Sequence, residues 1–387
     1  MIFNKPNGRA FEVLFFMSCM LFTLRSYYFY SISLAPGPVL ATLILLALMY
    51  IYKPKINKND LKFISFLMIF FTLSSFGSLL SDSPYINSVI GLIINFLIFT
   101  SIIALKNRIR VSLSGLNYLF VIHSTFFIIQ LLAYYVFNEK IDYLEPITGE
   151  IQRVSGFERI EEYGGVAVFR PSGLFSEPSS YCVFMITLLW VCKKANCLSN
   201  KVEAFVLLTI FISFSLSGII FSLFYLFLTN VKKLSIKNIF VSLIILSVFS
   251  FLMREQIISY YEYRVMNLDS DNSTSERLLM FTLFYDLEIA YQLFGSGIGN
   301  DIIDIPLTTV PSLLVYLGII GTSVFLIYLY FTFVYYKVSW DTIFFLLIIS
   351  FNFYKISNPY VWFILSMLLI VSNRESWDSL DEKKYNT

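Results

Sequence analysis

Ten long apolar runs divide the chain, at Phe11–Tyr30, Val39–Tyr52, Leu61–Leu80, Tyr85–Leu105, Leu113–Phe137, Leu174–Cys192, Phe205–Leu228, Ile239–Met253, Pro311–Tyr335 and Thr342–Val371. A helix needs about 20 apolar residues to cross the hydrocarbon of a bilayer. Charged residues are 14% and hydrophobic ones 57% of the 387. A soluble chain carries about 25% charged residues, enough to coat a water-facing surface. Too few charges remain here for a soluble globular domain or a disordered chain, and the runs are too apolar for a coiled coil. The class left is an all-α polytopic membrane protein, a single integral domain over residues 1–387. A net charge of +2 offers no cationic field to a nucleic acid, so none is expected as partner. Cys19, Cys182, Cys192 and Cys197 make neither a disulfide framework nor a Cys-x-x-Cys metal pattern. Lys5 and Arg9 precede an apolar stretch without a prompt small-residue cleavage site, which reads as an uncleaved first span.

Lys and Arg in short loops mark the cytoplasmic side. Lys53, Lys55, Lys58 and Lys62 follow the second run, Lys106, Arg108 and Arg110 the fourth, Lys193, Lys194 and Lys201 the sixth, and Lys232, Lys233 and Lys237 the seventh. The run Phe205–Leu228 lies between two positive loops, so it divides near Ser217-Gly218 into two short helices. The run Thr342–Val371 is too long for one crossing and divides at Asn358-Pro359, because Pro disfavours helix at the residue before it. These divisions predict about twelve transmembrane helices with both termini cytoplasmic.

Two segments are too long for turns, 138–172 and 254–309, and both fall on the outer face. The first carries Lys140, Arg153, Arg159 and Arg170 among seven acids, and the second carries Arg254, Arg264 and Arg277 with no Lys. Arginine presents a planar fork of donors that grips phosphate and keeps its proton. These arginines suit a phosphate-bearing ligand at the membrane surface, or pair with the nearby carboxylates. Glu255–Leu268 and Ser275–Phe294 have helical spacing, and Gly295-Ser296-Gly297-Ile298-Gly299 reads as a flexible turn returning the chain to the membrane. Arg25 interrupts the first run near its outer end, where it binds substrate or snorkels to the interface. His123, the single histidine, falls in the cytoplasmic half of its span, far from both outer segments, and reads as structural. Lys355 falls in the outer turn of the last helix pair, within reach of a lipid phosphate.

The stretch Phe169-Arg170-Pro171-Ser172-Gly173-Leu174-Phe175-Ser176-Glu177-Pro178-Ser179-Ser180-Tyr181 resembles the Arg-x-x-Gly-x-x-x-Glu-Pro segment of bacterial O-antigen polymerases (Wzy-type) and the related O-antigen ligases. Ser275-Glu276-Arg277 followed by Phe294-Gly295-Ser296-Gly297 is similar to that family's Arg–helix–Gly-x-Gly pattern. The Ser-rich break near Ser217-Gly218 and Asn358-Pro359-Tyr360 are similar to weaker family features.

The resemblance implies an enzyme of the bacterial inner membrane that joins undecaprenyl-diphosphate-linked oligosaccharide units at the periplasmic face. Undecaprenyl diphosphate is then the leaving group, and no metal or other cofactor takes part. Implied partners are the lipid-linked oligosaccharide, membrane lipids and a chain-length regulator protein. Such chemistry needs cations for the diphosphate and a base for the acceptor hydroxyl. Arg170 and Arg277 come first for the diphosphate, then Arg264 and Arg153. Glu177 is the candidate base or acceptor-sugar ligand, or else the N-cap of a helix that Pro178 begins. Tyr181 stacks on a sugar or anchors the interface, and Gly173 permits the turn before the span. Two other functions stay open. A ligase would transfer finished polymer to lipid A-core, although a ligase-type His in the second outer segment is lacking. A flippase or other transporter would place charges near the midplane, where this chain has almost none.

Overall fold

The structure, a computed structural model, describes residues 8–24, 36–79, 86–149, 151–152, 169–230, 279, 282–298, 302 and 308–372. The expected span Ile239–Met253, the segment Glu255–Leu268 and the candidates Arg25, Arg153, Arg264 and Arg277 lie outside the described residues. Among the described residues the regular elements are helices, and the extended pairing is one antiparallel bridge, Thr308 to Tyr354.

Helices α1 (Gly8–Thr23), α2 (Pro36–Tyr52), α3 (Lys58–Leu79) and α4 (Ile86–Ala104) follow the first four runs. A short α5 (Lys106–Ser112) leads through a tight turn into α6 (Leu116–Phe137), and α7 (Glu145–Thr148) is a single turn beyond it. Then come α8 (Pro178–Lys194), α9 (Asn200–Ile212) and α10 (Leu216–Asn230). The chain finishes with α11 (Ile289–Phe294), α12 (Thr309–Tyr335), α13 (Trp340–Ser350) and α14 (Pro359–Ser372). Among the described residues two stretches, Lys106–Phe137 and Thr309–Tyr335, are long and apolar enough to cross a membrane. The others include 13 residues in α9, 15 in α10, 11 in α13 and 14 in α14. At about 1.5 Å per residue these fall short of a hydrocarbon core about 30 Å thick.

The short helices arise where the backbone breaks. The run at 205–228 divides as expected, but at Ser213-Phe214-Ser215, where Phe214 takes φ 50°. Tyr225 near the end of α10 donates to Glu203 in the first turn of α9 at 2.7 Å, so the two helices fold into a hairpin. Gly218 faces α8 so closely that a Cβ there would lie 2.6 Å from the Cys182 sulfur. Helix α12 breaks at Gly318, with φ 63°. Two backbone carbonyls near that break are taken by the Gly-x-Gly turn: Ser296 N–H donates to Val315 O at 2.9 Å and Gly297 N–H to Tyr316 O at 3.0 Å. The turn expected to be flexible is therefore docked. The helix expected over Ser275–Phe294 is interrupted at 286–288, where Gln292 donates to Tyr285 O at 2.8 Å and Leu287 O at 2.7 Å.

Aromatic packing fills the interior. The Trp362 ring meets Phe71, Phe99 and Phe325, and Trp190 stacks on Phe345 at 4.3 Å. The outward faces are apolar as well, with Val13, Leu43, Ile69, Ile93, Leu223 and Ile327 all exposed. One end of the bundle collects ion pairs. Lys106 binds Asp60 at 2.6 Å, Lys193 binds Glu203 at 2.8 Å, and Lys194 pairs with Asp341. Asp60 is 1% exposed and also accepts the Tyr336 hydroxyl at 2.7 Å. Burial, with the Asp60 carboxylate alongside, pushes the Tyr336 phenol up, so it stays protonated and donates.

Gly318 carries the tightest test of this architecture. An Ala there must hold a left-handed backbone, with its Cβ 2.4 Å from the carbonyl of Leu293. Gly318→Ala is expected to cost about 2 kcal/mol or more and to lower the thermal midpoint of the purified protein by several degrees. Gly91→Ala, in a helix with nothing within 4 Å of the added carbon, is expected to be neutral or stabilising by up to about 1 kcal/mol.

Candidate functional site

The segment from Phe169 to Glu177 does not cross the surface as a loop but runs down inside the bundle beside α6. Phe169 stacks on Tyr134 at 4.5 Å, and its carbonyl accepts the Tyr135 hydroxyl at 3.4 Å. Lower down, the Gln130 side-chain oxygen accepts the N–H groups of Ser172 and Gly173, each at 2.9 Å. The Gln130 amide nitrogen donates to Ile141 O at 2.9 Å and to the Gln152 oxygen at 3.0 Å. Gln152 in turn donates to Gly173 O at 2.8 Å and Phe175 O at 2.7 Å. Asp142 holds Gln152 in place by accepting its backbone N–H at 2.7 Å. Two side-chain amides thus supply the partners that an irregular backbone lacks in an apolar interior. Gly173 takes φ +58°, with the α6 backbone at His123 and Phe127 as the nearest atoms to its missing Cβ.

A second segment, 351–358, dips into the bundle in the same way. Asn95 donates to Ser357 O at 2.8 Å, Trp362 to Ile356 O at 2.7 Å, and Thr309 to Tyr354 O at 2.6 Å. Ile356 N–H donates to the Ser312 hydroxyl at 2.9 Å. Each segment ends in a residue followed by Pro at the first position of a helix, Glu177-Pro178 for α8 and Asn358-Pro359 for α14. These helix starts lie side by side: Tyr360 stacks on Phe184 at 4.6 Å and its hydroxyl reaches Phe184 O at 3.1 Å. Both helices then run toward the end that carries the ion pairs, where Lys194 meets Asp341 and Arg110 donates to Ile370 O at 2.8 Å.

Between the two starts lies a small cleft, lined by Phe22, Thr23, Phe175, Ser176, Ser180, Phe184, Tyr354 and Tyr360. Glu177 stands at its edge, in the N-cap position of α8 with extended backbone (φ −152°, ψ 155°). Its carboxylate caps no backbone N–H; Oε1 instead accepts the hydroxyls of Ser179 at 2.6 Å and Ser180 at 3.1 Å. Asn358 does cap, accepting the Tyr360 N–H at 3.0 Å. A carboxylate at a helix start is favoured by the helix dipole even without that bond.

The candidate residues separate. Arg170 and Glu177 share the pinned segment, and Arg170 is 8% exposed, within electrostatic range of Cys182 in α8. Tyr181 is fully buried: its ring stacks on Phe127 at 4.9 Å and its hydroxyl meets Thr209 at 2.6 Å. No face of it is left for a sugar, and its polar contacts lie within the bundle. His123 lies close to the end of the first outer segment, its carbonyl 3.4 Å from where a Cβ on Gly173 would sit. Phe175 packs on it with ring centroids 5.2 Å apart, and among the described residues neither of its buried nitrogens has a hydrogen-bond partner. Gln130 and Gln152, which organise the site, went unread in the sequence; the signal for Gln130 is a lone amide within Ile128-Ile129-Gln130-Leu131. Among the described residues no three His, Cys, Asp or Glu side chains gather as a metal-ligand set. No family model matches the chain, and neither a curated protein nor a solved structure does.

Gln130→Leu strips two backbone donors of their acceptor, each worth about 1–3 kcal/mol when buried. A large drop in the thermal midpoint is expected, together with new proteolytic cleavage within 169–177. His123→Phe removes two unsatisfied nitrogens while keeping a ring, so it should leave the midpoint unchanged. Loss of function in folded His123→Phe protein would make that histidine functional.

Proposed function

We propose that this chain polymerises undecaprenyl-diphosphate-linked oligosaccharide units into O-antigen or a related surface polysaccharide. In this reading it is a multi-pass protein of the bacterial inner membrane with about twelve helical passes and both termini in the cytoplasm. The ion-paired end faces the cytoplasm, and the cleft opens toward the periplasm. Apolar outward faces and lysine-rich helix ends support that placement. One observation carries the reading: a carboxylate, Glu177, stands on a rigidly held segment that also bears Arg170, at the edge of an aromatic and hydroxyl-lined cleft.

The reaction follows from those groups. Glu177 takes the proton of an acceptor-sugar hydroxyl as its oxygen attacks the anomeric carbon of the donor unit. The bond from that carbon to the diphosphate breaks, and undecaprenyl diphosphate leaves with the bonding electrons. Arg170 steadies the charge developing on the leaving phosphate, and a pre-placed cation acts strongly where water is scarce. Arg277, Arg264, Arg153 and Arg25 join it on the strength of the sequence. The hydroxyls of Ser179 and Ser180 aim the carboxylate. No metal enters this scheme.

Arg170→Ala and Glu177→Gln are each expected to lower polymer formation by 10²-fold or more, with the folded protein still present in the membrane. On a lipopolysaccharide gel, lipid A-core capped with a single repeat unit is the expected product. Full-length polymer stranded on undecaprenyl diphosphate would identify a ligase instead, and repeat units trapped on the cytoplasmic face would identify a flippase.

A further inference from the structure

The last turn of α8 closes in a way that brings two thiols together. Ala195 caps the helix, and Asn196 beyond it takes a left-handed backbone with φ 55°. Asn196 N–H donates to Lys193 O at 3.2 Å, and Cys197 N–H reaches back to Cys192 O at 3.1 Å. These two nested bonds make a Schellman motif, in which the third residue before the cap and the second after it meet side chain to side chain. Apolar residues ordinarily fill those two places, but here both are cysteines. Cys197 Sγ also donates to Cys192 O at 3.5 Å, and the two thiols lie within hydrogen-bond reach of one another.

The surroundings hold the pair in place and treat its members differently. Asn117, in the first turn of α6, donates to Cys197 O at 2.8 Å and accepts the Ser199 N–H at 3.1 Å, which clamps the turn from outside. Lys193 and Lys194, between the cysteines, are tied to Glu203 and Asp341. Cys192 is buried, whereas Cys197 is only partly so. The hydrogen bond from Cys192 pulls the Cys197 thiol below its ordinary range, against the opposite pull of burial. Thiolate is the form that attacks a disulfide. One sulfur therefore meets a reagent from solution, and the other waits behind it. Cys19 lies within electrostatic range of Cys192 but is buried in α1. Cys182 sits near the other end of α8, within 3.0 Å of the Ser213 hydroxyl.

We propose that Cys192 and Cys197 form a reversible disulfide that locks the turn between α8 and α9. The oxidant is a low-molecular-weight disulfide such as oxidised glutathione. Cys197, as thiolate, attacks one glutathione sulfur, and the first glutathione leaves as a thiolate that takes up the proton Cys197 gave away. Cys192 then loses its proton and attacks the Cys197 sulfur. The mixed disulfide breaks, and the second glutathione leaves as a thiol. Two protein thiols are oxidised to one disulfide, while one glutathione disulfide is reduced to two thiols. The turn is already closed by its backbone bonds, so the folded chain makes this bridge by rotating side chains. Nothing in it depends on the chemistry at the cleft end. In the proposed orientation this end faces the cytoplasm, where disulfides are transient and report on redox state.

The test equilibrates the full chain in lipid nanodiscs with graded mixtures of reduced and oxidised glutathione. Samples are quenched with acid, alkylated and analysed by mass spectrometry. A peptide linking Cys192 to Cys197 is expected, at a ratio of oxidised to reduced glutathione about 10-fold or more below that required by the unfolded chain. Cys192→Ser should stop the reaction with glutathione on Cys197, Cys197→Ser should leave Cys192 unmodified, and Cys19→Ser should change nothing. Amide exchange at Asn196 and Cys197 should slow by about 10-fold in the oxidised protein. The linkage and the exchange are read on the unaltered chain, so a variant that folds poorly leaves the test intact. No link at any ratio, glutathione persisting on Cys197 of the unaltered chain, a link from Cys192 to Cys19, or equal oxidation of folded and unfolded chain each overturns the pair and leaves the two cysteines as apolar packing. A linked pair with unchanged amide exchange overturns the lock.

Discussion

The side-chain amide of Gln130 does the work of a missing stretch of helix. A peptide group in an apolar interior has no water to bond, so backbone outside a helix survives there only if side chains complete it. Gln130 accepts two consecutive N–H groups, and Gln152 gives its own protons to two carbonyls of the same segment. Everything described at the cleft follows from that substitution. Without it, residues 169–177 would have to be helix or lie at the surface, and neither alternative sets a carboxylate against aromatic rings inside the bundle. The second dipping segment obeys the same constraint with different side chains, Asn95, Thr309, Ser312 and Trp362.

The two ends of the bundle are held by different forces. At one end, charge pairs tie α3 to α5, α8 to α9 and α8 to α13, and Asp60 is buried within its pair. Breaking a buried pair leaves an uncompensated charge and costs about 3–5 kcal/mol, so that end is closed. At the other end the contacts are hydroxyls and ring stacks, each worth about 1 kcal/mol, and a cleft remains. A molecule that passed a large lipid-linked sugar through its middle would have to open both ends in turn. A molecule that works at one face needs only this arrangement, which favours chemistry at the cleft end in the proposed reading.

The helical class and the apolar exterior were legible because composition and run length report on solvent, and solvent decides between a polar and an apolar exterior. The breaks were legible where they rest on local backbone rules. Pro359 marked a helix start, and the serines near 213–217 marked a hairpin, misplaced by a few residues because Phe214, with its left-handed backbone, gave no sign of itself. Glu177 and Pro178 were readable as a helix start for the same reason. Long-range pairing was not readable. Nothing local to Gln130 says that its partners lie 42 and 43 residues away, and nothing in the surroundings of His123 says that Phe175 will fold down onto it. Tyr181 misled because an aromatic residue near the expected end of a span usually sits at the interface. Here the span begins inside the bundle, so the same residue is core.

The two X-Pro helix starts make an internal comparison that bears on Glu177. Both helices begin inside the bundle, both have Pro first, and the same dipole acts at each start. Asn358 satisfies its helix in the ordinary way, by accepting the N–H two residues on. Glu177 occupies the equivalent position without doing so. Asparagine, aspartate and serine are the residues that serve best there, and glutamate is a poor choice if capping is the whole requirement. Its longer side chain instead carries the carboxylate to the hydroxyls of Ser179 and Ser180, of which Ser180 lines the cleft. The helix thus holds a negative charge where it can touch a ligand and gains less stability than a shorter side chain would give. A carboxylate that forgoes the cap bond and is held by two serine hydroxyls instead is the feature on which the proposed reading, proton removal from an acceptor hydroxyl, leans.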